Sequence, residues 1–378
     1  MEIKMASKRT LSECLSVIDD PRVERTRIHD LLDILVLSVL AVMCGAEGWE
    51  DIEAFGKSRK GWLKQFLKLK NGIPSHDTIS RVFRMLKPDA FQGAFREWLV
   101  EMDLIGGADV IAIDGKSLRR SHDGTFKKML HSVSAWSVGK NVMLGQQAVD
   151  EKSNEITAIP ELLKSLQLKG AIVTIDAMGC QKEIAKQIHA AEGDYVLALK
   201  DNQPLLSDAV QNYFNDAHES ETIATEARAH TTSEKGHGRV ENRYYFHAPI
   251  PTNIRHLLAD WPGAKSIGQA INVIERNGKE SSEVRYFISS LNVGVKKFAT
   301  AVRGHWSIEN KLHWTLDVTF NEDQSRIRKD HGAENFALLR RFVLSIIKLD
   351  TSKGSMRSKR KMAGWSEDYL LSLLKNVV

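Results

Sequence analysis

Cysteine is scarce in this chain: Cys14, Cys44 and Cys180 are scattered over 378 residues without paired spacing. That excludes a disulfide framework and a zinc ribbon, and it fits a reducing cytosol. Long apolar runs are missing as well. The most hydrophobic stretch, Leu31 to Cys44, carries Asp33 and is too short to span a bilayer, and the basic N-terminus has no apolar segment directly behind it. Neither a membrane span nor a signal peptide is expected. An excess of one charge is also lacking, since Lys+Arg 53 against Asp+Glu 48 leaves only +5. The surface is not uniformly basic, so any nucleic-acid footprint must be local. No internal repeat is evident.

The 42% hydrophobic content is enough for a sizeable core, and the length suits two or three domains. From about 11 to 105 the pattern is helical, with Leu31, Ile34, Leu35, Ser38, Val39 and Val42 recurring at three- and four-residue steps. Ser75 reads as the N-cap of a helix running through Leu86. Gly106-Gly107 marks a boundary. Beyond it come strands at Val110–Asp114, His131–Val138 and Val142–Val149, a helix at Ile159–Leu168, a strand at Ile172–Asp176, a helix at Ile184–Ala191, a strand at Tyr195–Leu199 and a helix at Leu205–Phe214. Antiparallel strands followed by alternating helix and strand imply an α/β fold, a mixed sheet with flanking helices. Residues 219–292 read as a β-rich insertion, with a polar lead-in and strands at Arg239–His247, Ser266–Arg276 and Glu283–Ser290. The expected division is therefore an all-helical N-terminal domain at 1–105, a catalytic domain at 106–218 and 293–350, the insertion, and a basic C-terminal segment with a terminal helix at 351–378.

Two aspartates end apolar runs of the same type, Val110 to Asp114 and Ile172 to Asp176, and Glu309 follows in a helical segment between Trp306 and Leu316. A strand ending in aspartate is more often a loop cap or ion-pair partner than a ligand. Two in succession, separated by enough chain for a hairpin, a helix and a return to a neighbouring strand, shift that balance. Three carboxylates on separate elements can share two divalent cations about 3.5 to 4 Å apart, which suits phosphodiester chemistry. Asp317, Glu322 and Asp323 are competing acids. At 100° per residue Asp317 lies roughly 80° around the helix from Glu309, so it reads as a structural acid.

Further motifs are Ile113-Asp114-Gly115-Lys116 with Arg119-Arg120, Asp176-Ala177-Met178 with Gln181-Lys182, Lys200-Asp201-Asn202-Gln203, Gly236-His237-Gly238-Arg239, and His305-Trp306 with Ile308-Glu309-Asn310 continuing to Asp317 and Phe320. In this order they resemble the H-repeat-associated transposases, insertion-sequence enzymes of the DDE superfamily with an RNase H-like catalytic fold, across essentially the whole chain. The resemblance implies a catalytic, metal-ligating triad of Asp114, Asp176 and Glu309, two Mg²⁺ ions with Mn²⁺ as a substitute, double-stranded DNA as substrate in element ends and target, a homodimer on DNA, and a cytoplasmic, nucleoid-associated protein. Related enzymes often carry an arginine four residues before the glutamate and a lysine seven after it. Here those places hold His305 and Leu316, which leaves Arg303 and Lys311 as phosphate contacts by proximity.

Lys116, Arg119, Arg120, Lys200, His237, Arg239, Arg303, His305 and Lys311 are the DNA-binding candidates. Each has a plainer reading, as a solvated loop, a hairpin turn or an amphipathic helix face. Arg81, Arg84 and Lys87 could line a recognition helix or an ordinary surface one. Trp306 and Trp314 read as helix packing, and the basic run Lys353 to Lys361 as a solvated segment. Two other functions compete with transposition: a nuclease that only hydrolyses DNA, and a DNA-binding remnant with a decayed pocket.

Overall fold

A computed structural model describes residues 8–121, 129–149, 154–236, 238–374 and 377. Among the described residues nine strands form a single sheet: β1 (Val110–Ser117), β2 (His131–Ser137), β3 (Val142–Ala148), β4 (Ile172–Ile175), β5 (Asp194–Leu199), β6 (Arg228–Gly236), β7 (Arg239–Pro249), β8 (Ser266–Arg276) and β9 (Lys279–Ser289). Their order is β3-β2-β1-β4-β5-β9-β8-β7-β6. β1, β4 and β5 run parallel, and β2, β3 and β9 are antiparallel to their neighbours. The parallel strands are apolar on both faces because helices cover both sides, which is why they read as continuous hydrophobic runs. The expected mixed sheet is present.

Residues 219–292 contribute strands, and these extend the same sheet. Leu197 of β5 pairs with Ile288 of β9, and β8, β7 and β6 follow outward. β6 was read from the sequence only as a polar lead-in. Its residues are mostly exposed and lack alternation, so the strand owes its existence to pairing with β7 rather than to a buried face. The helix placed at Ile159 begins earlier, at Glu155, because the Asn154 side chain caps it by accepting from Ile156 N at 3.1 Å.

The N-terminal helices share one hydrophobic core with the sheet. The helix Gly332–Leu349 joins them, packing on Leu31–Met43, His76–Met85, Pro88–Glu101 and β3. Polar contacts fix its position: Asn335 Nδ2 donates to the carbonyls of Phe83 and Leu86 at 2.8 Å, and Ser345 Oγ accepts from Met143 N at 3.1 Å. The C-terminal basic run is only partly solvated. Arg360, buried in the helix Met356–Trp365, donates to the carbonyls of Val42, Ala46 and Thr319 and so ties three parts of the chain together. Among the described residues no helix is long and apolar enough to cross a membrane.

The helix Val295–Ser307 crosses β1, β4 and β7 over a second apolar cluster that includes Val110, Ile172, Val196 and Phe298. Close approach requires a glycine beneath it: a Cβ at Gly268 of β8 would come within 2.2 Å of the Phe298 ring. At the helix start, His247 of β7 is fully buried, accepts from Gly294 N at Nδ1 and therefore donates from Nε2 to Ser266 Oγ. The ring is thus held neutral, and burial pushes its pKa down to about 4 from an ordinary 6.5. Because the folded value lies below the unfolded one, this stabilisation is complete above pH 6.5 and is lost as pH falls toward 4. It amounts to about 3 kcal/mol. We expect His247→Gln to flatten stability between pH 6.5 and 4, read by urea unfolding at stepped pH. Parallel curves for variant and wild type would contradict a buried neutral imidazole.

Candidate active site

The last register pair between parallel strands β1 and β4 is Ile113 with Ile175. Asp114, which still pairs with Ser134 of β2, and Asp176, which directly follows β4, are the next residues on each, so their backbones stand about 4.8 Å apart at the edge where the parallel pairing ends. That edge, outside the carboxyl ends of parallel strands, is where open α/β sheets hold ligands. Opposite it, the chain from Val295 to Thr319 is helical throughout, but Ile308–His313 winds as a π-helix between α-helical segments. Such wide turns recur at functional sites because they re-aim side chains without ending the helix. Glu309 lies in this turn. Asp114, Asp176 and Glu309 line one cavity of about 470 Å³ with Thr174, Lys200, Arg285, His305 and Trp306.

Burial raises the Asp176 carboxyl above its ordinary range, and the neighbouring anions Glu155 and Asp114 add to the shift. Gly179 N–H, donating to Asp176 Oδ1 at 3.3 Å, works against it. Burial also lowers the His305 imidazole although all three carboxylates pull the other way, and its Nδ1 lies 3.1 Å from Thr174 Oγ1. His313 Nδ1 stands 3.4 Å from Asp114 Oδ2, and its buried Nε2 has no hydrogen-bond partner.

Glu155, Arg285 and His313 escaped the sequence reading. Glu155 was missed because its helix was started four residues too late. Its Oε1 is 2.7 Å from His131 Nε2, whose Nδ1 is 2.7 Å from Ser117 Oγ, and a Cβ at Gly115 would come within 2.0 Å of Glu155 Oε1. The available signals were Asn154 as an N-cap and a glycine directly after Asp114. Arg285 was missed because it lies on the exposed, polar half of β9. Its guanidinium rests 4.9 Å over the Trp306 ring.

Among the described residues no three His, Cys, Asp or Glu side chains stand close enough to hold one metal ion as placed. The donor set nevertheless fits a hard divalent cation. Two carboxylates emerge side by side and a third lines the same cavity, so a cation there would meet three anionic oxygen donors.

The expected cations are dispersed. Lys116, expected to meet DNA, is buried, with Nζ donating to both Asp317 oxygens at 2.7 and 2.8 Å and lying 3.5 Å from Asp323. This pair accounts for Asp317 as a structural acid. Arg119 is exposed and 3.3 Å from Asp323, while the carbonyl of exposed Arg120 accepts from Arg328 Nε. Lys200 and His305 line the carboxylate cavity, whereas Arg303 and Lys311 line a separate groove. Arg239 is exposed, 3.5 Å from Glu241. His237 lies outside the described residues. Leu316 is fully buried, Trp306 partly buried, and Trp314, expected to pack, is 60% exposed. Arg84 is paired with Asp330 at 2.7 Å, leaving Arg81 exposed on the helix His76–Met85 and Lys87 exposed just beyond its end.

A helix-flanked mixed sheet that presents carboxylates where the pairing of adjacent parallel strands ends defines an RNase H-like α/β fold, here with a helical N-terminal region. Two family models match in succession: "DDE_Tnp_1-associated" at residues 12–99 and "Transposase DDE domain" at 105–346. The chain belongs to the DDE transposase family. It is 42% identical to the "H repeat-associated putative transposase YhhI" of Escherichia coli K12 over 97% of this chain and 98% of that one. It is 40% identical to the "Putative transposase YncI" of E. coli O157:H7 over 97% and 95%. A 50% match to the "Inactive transposase YbfQ" of E. coli K12 covers 20% of this chain and 88% of that one.

Removing one partner from the buried Lys116 pair should cost stability. We expect Asp317→Asn to lower the unfolding free energy by about 1–3 kcal/mol, and the double variant Lys116→Met with Asp317→Leu to recover most of it. An Asp317→Asn protein as stable as wild type in chemical denaturation would remove this structural role.

Proposed function

We propose that this protein is a metal-dependent DNA transposase that cuts phosphodiester bonds at the ends of an insertion-sequence-like element and joins the freed 3′ ends to target DNA. The observation that carries this reading is the register of β1 and β4, which sets Asp114 beside Asp176 at the mouth of a cavity that Glu309 also lines. Asp114, Asp176 and Glu309 would hold the divalent ions, Mg²⁺ or Mn²⁺. Two such ions, when bound, supply Lewis-acid assistance to phosphoryl transfer.

The chain's own residues do the rest. Strand ends and a helix keep the carboxylates on rigid supports. Lys200 and Arg285 bring positive charge to the same cavity and suit a phosphate entering it. The Trp306 ring beside Arg285 offers a flat surface on which an unpaired base could stack. His305, bonded to Thr174 and next to the acids, stands where related enzymes carry arginine. It positions rather than supplies a permanent charge. Joining requires two DNA ends in one complex, so the active form is a dimer on DNA, working in the cytoplasm.

Incubation of labelled element ends with target DNA and Mg²⁺ should yield joined products. Cut but unjoined ends would indicate a nuclease, and bound, intact DNA an inactive remnant. Asp114→Asn and Asp176→Asn should each abolish cleavage while DNA affinity stays within roughly threefold. Mg²⁺ or Mn²⁺ should raise the thermal midpoint of the wild type, corresponding to about 2.7 kcal/mol at a hundredfold excess over Kd, and should not do so for either variant. Retained cleavage in a purified variant would show that these carboxylates are not the ligands.

A further inference from the structure

The helix that carries Glu309 separates two concavities. One is the carboxylate cavity; the other is a groove of about 620 Å³ between this helix and the β6–β7 strands. A small cavity links them, sharing Arg285 and Trp306 with the first and Arg243, Tyr245 and Arg303 with the second. Lys296, Arg303 and Lys311 recur along the groove side of the helix at intervals of about two turns, and all three are exposed. At 1.5 Å per residue they form a row roughly 22 Å long. A row of cations matches a linear polyanion better than a compact ligand.

A lone carboxylate interrupts this row. Glu234, on edge strand β6, places Oε2 3.1 Å from an Nη of Arg243 and 3.2 Å from an Nη of Arg303, so one oxygen bridges a strand guanidinium and a helix guanidinium. Arg243 is only 5% exposed and already has Glu241 at 2.7 Å. Glu234, at 57% exposure, is therefore not needed to neutralise a buried charge. Its bridging oxygen occupies the place and charge of a phosphate oxygen.

We propose that this groove carries the phosphodiester backbone of a DNA strand leading away from the carboxylate cavity, and that Glu234 stands in for a phosphate until DNA displaces it. The proposal rests on the reading of DNA as substrate and adds the strand's path and a self-blocking contact. It assigns Arg303 and Lys311 to this path rather than to the reacting phosphate.

The test is metal-free fluorescence anisotropy of the full chain with a mixed-sequence duplex carrying a single-stranded extension, over a range of salt. The triple variant Lys296→Gln, Arg303→Gln, Lys311→Gln should bind at least tenfold more weakly, and its salt dependence should flatten by about one unit of log–log slope per contacting residue. Glu234→Gln should move the other way, tightening binding roughly two- to fivefold, the scale of an exposed ion pair. Lys164→Gln, at an exposed cation that lines neither cavity, is the reference that should leave binding near wild type. Unchanged affinity and slope in the triple variant, with wild type binding normally, would overturn the groove path alone. An unchanged Glu234→Gln would overturn the self-blocking contact. A wild-type protein that bound no DNA would instead sink the transposase reading. Competition by polyglutamate as effective as by DNA of equal charge would reassign the groove to an acidic polypeptide.

Discussion

The site depends above all on the register in which β1 lies parallel to β4. Pairing Ile113 with Ile175 places Asp114 and Asp176 at matching positions on adjacent strands. A slip of one residue would turn one carboxylate to the opposite face of the sheet. The register is set by burial: Val110 to Ile113 and Ile172 to Ile175 are buried on both sides, and sliding either strand would bring its aspartate into that apolar layer. The carboxylates are thus held at the edge because the strands beside them cannot accept charge.

The third acid is held differently. Glu309 rides on a helix whose start is pinned through Gly294 to the neutral His247 and whose body presses Phe298 onto Gly268. Beyond the last α-helical residue, Ser307, the chain widens into a π turn, and Glu309 lies there. Rigid seating upstream and a locally wider turn at the acid suit the role proposed for Glu309, reaching across the cavity toward the aspartates. The Lys116–Asp317 pair then ties the far end of the helical segment back to β1. Both ends of the glutamate segment are therefore anchored to the sheet that carries the aspartates.

The other regions are coupled to this centre through shared core and buried polar contacts. The helix Gly332–Leu349 packs on the N-terminal helices and on β3 at once, and its Arg341 forms a fully buried pair with Glu322, which precedes the helix, at 2.7 Å. Breaking such a pair leaves an uncompensated charge, so it specifies the arrangement more than it adds net stability. The β6–β9 strands extend the sheet from β5, which brings their basic groove alongside the carboxylate cavity, across the helix that carries Glu309.

The apolar strands, the acids that follow them and the helical N-terminal pattern were legible in the linear chain. Each follows from local periodicity and from the rule that charge leaves a buried strand at its end. Ser266–Arg276 was read to the residue for the same reason. Other features were illegible because their causes lie far away in the chain. β6 exists only because β7 pairs with it. Lys116, followed by Arg119 and Arg120 and so read as a surface cation, is buried because Asp317, two hundred residues on, packs against it. Glu155 joins the acids only once β1 brings Gly115 beneath it, and Arg303 and Arg243 share Glu234 only after the insertion has joined the main sheet. Residue type and spacing establish which groups can be charged and which segments must be buried; long-range packing selects which of those charges meet one another and which remain open to solvent or ligand.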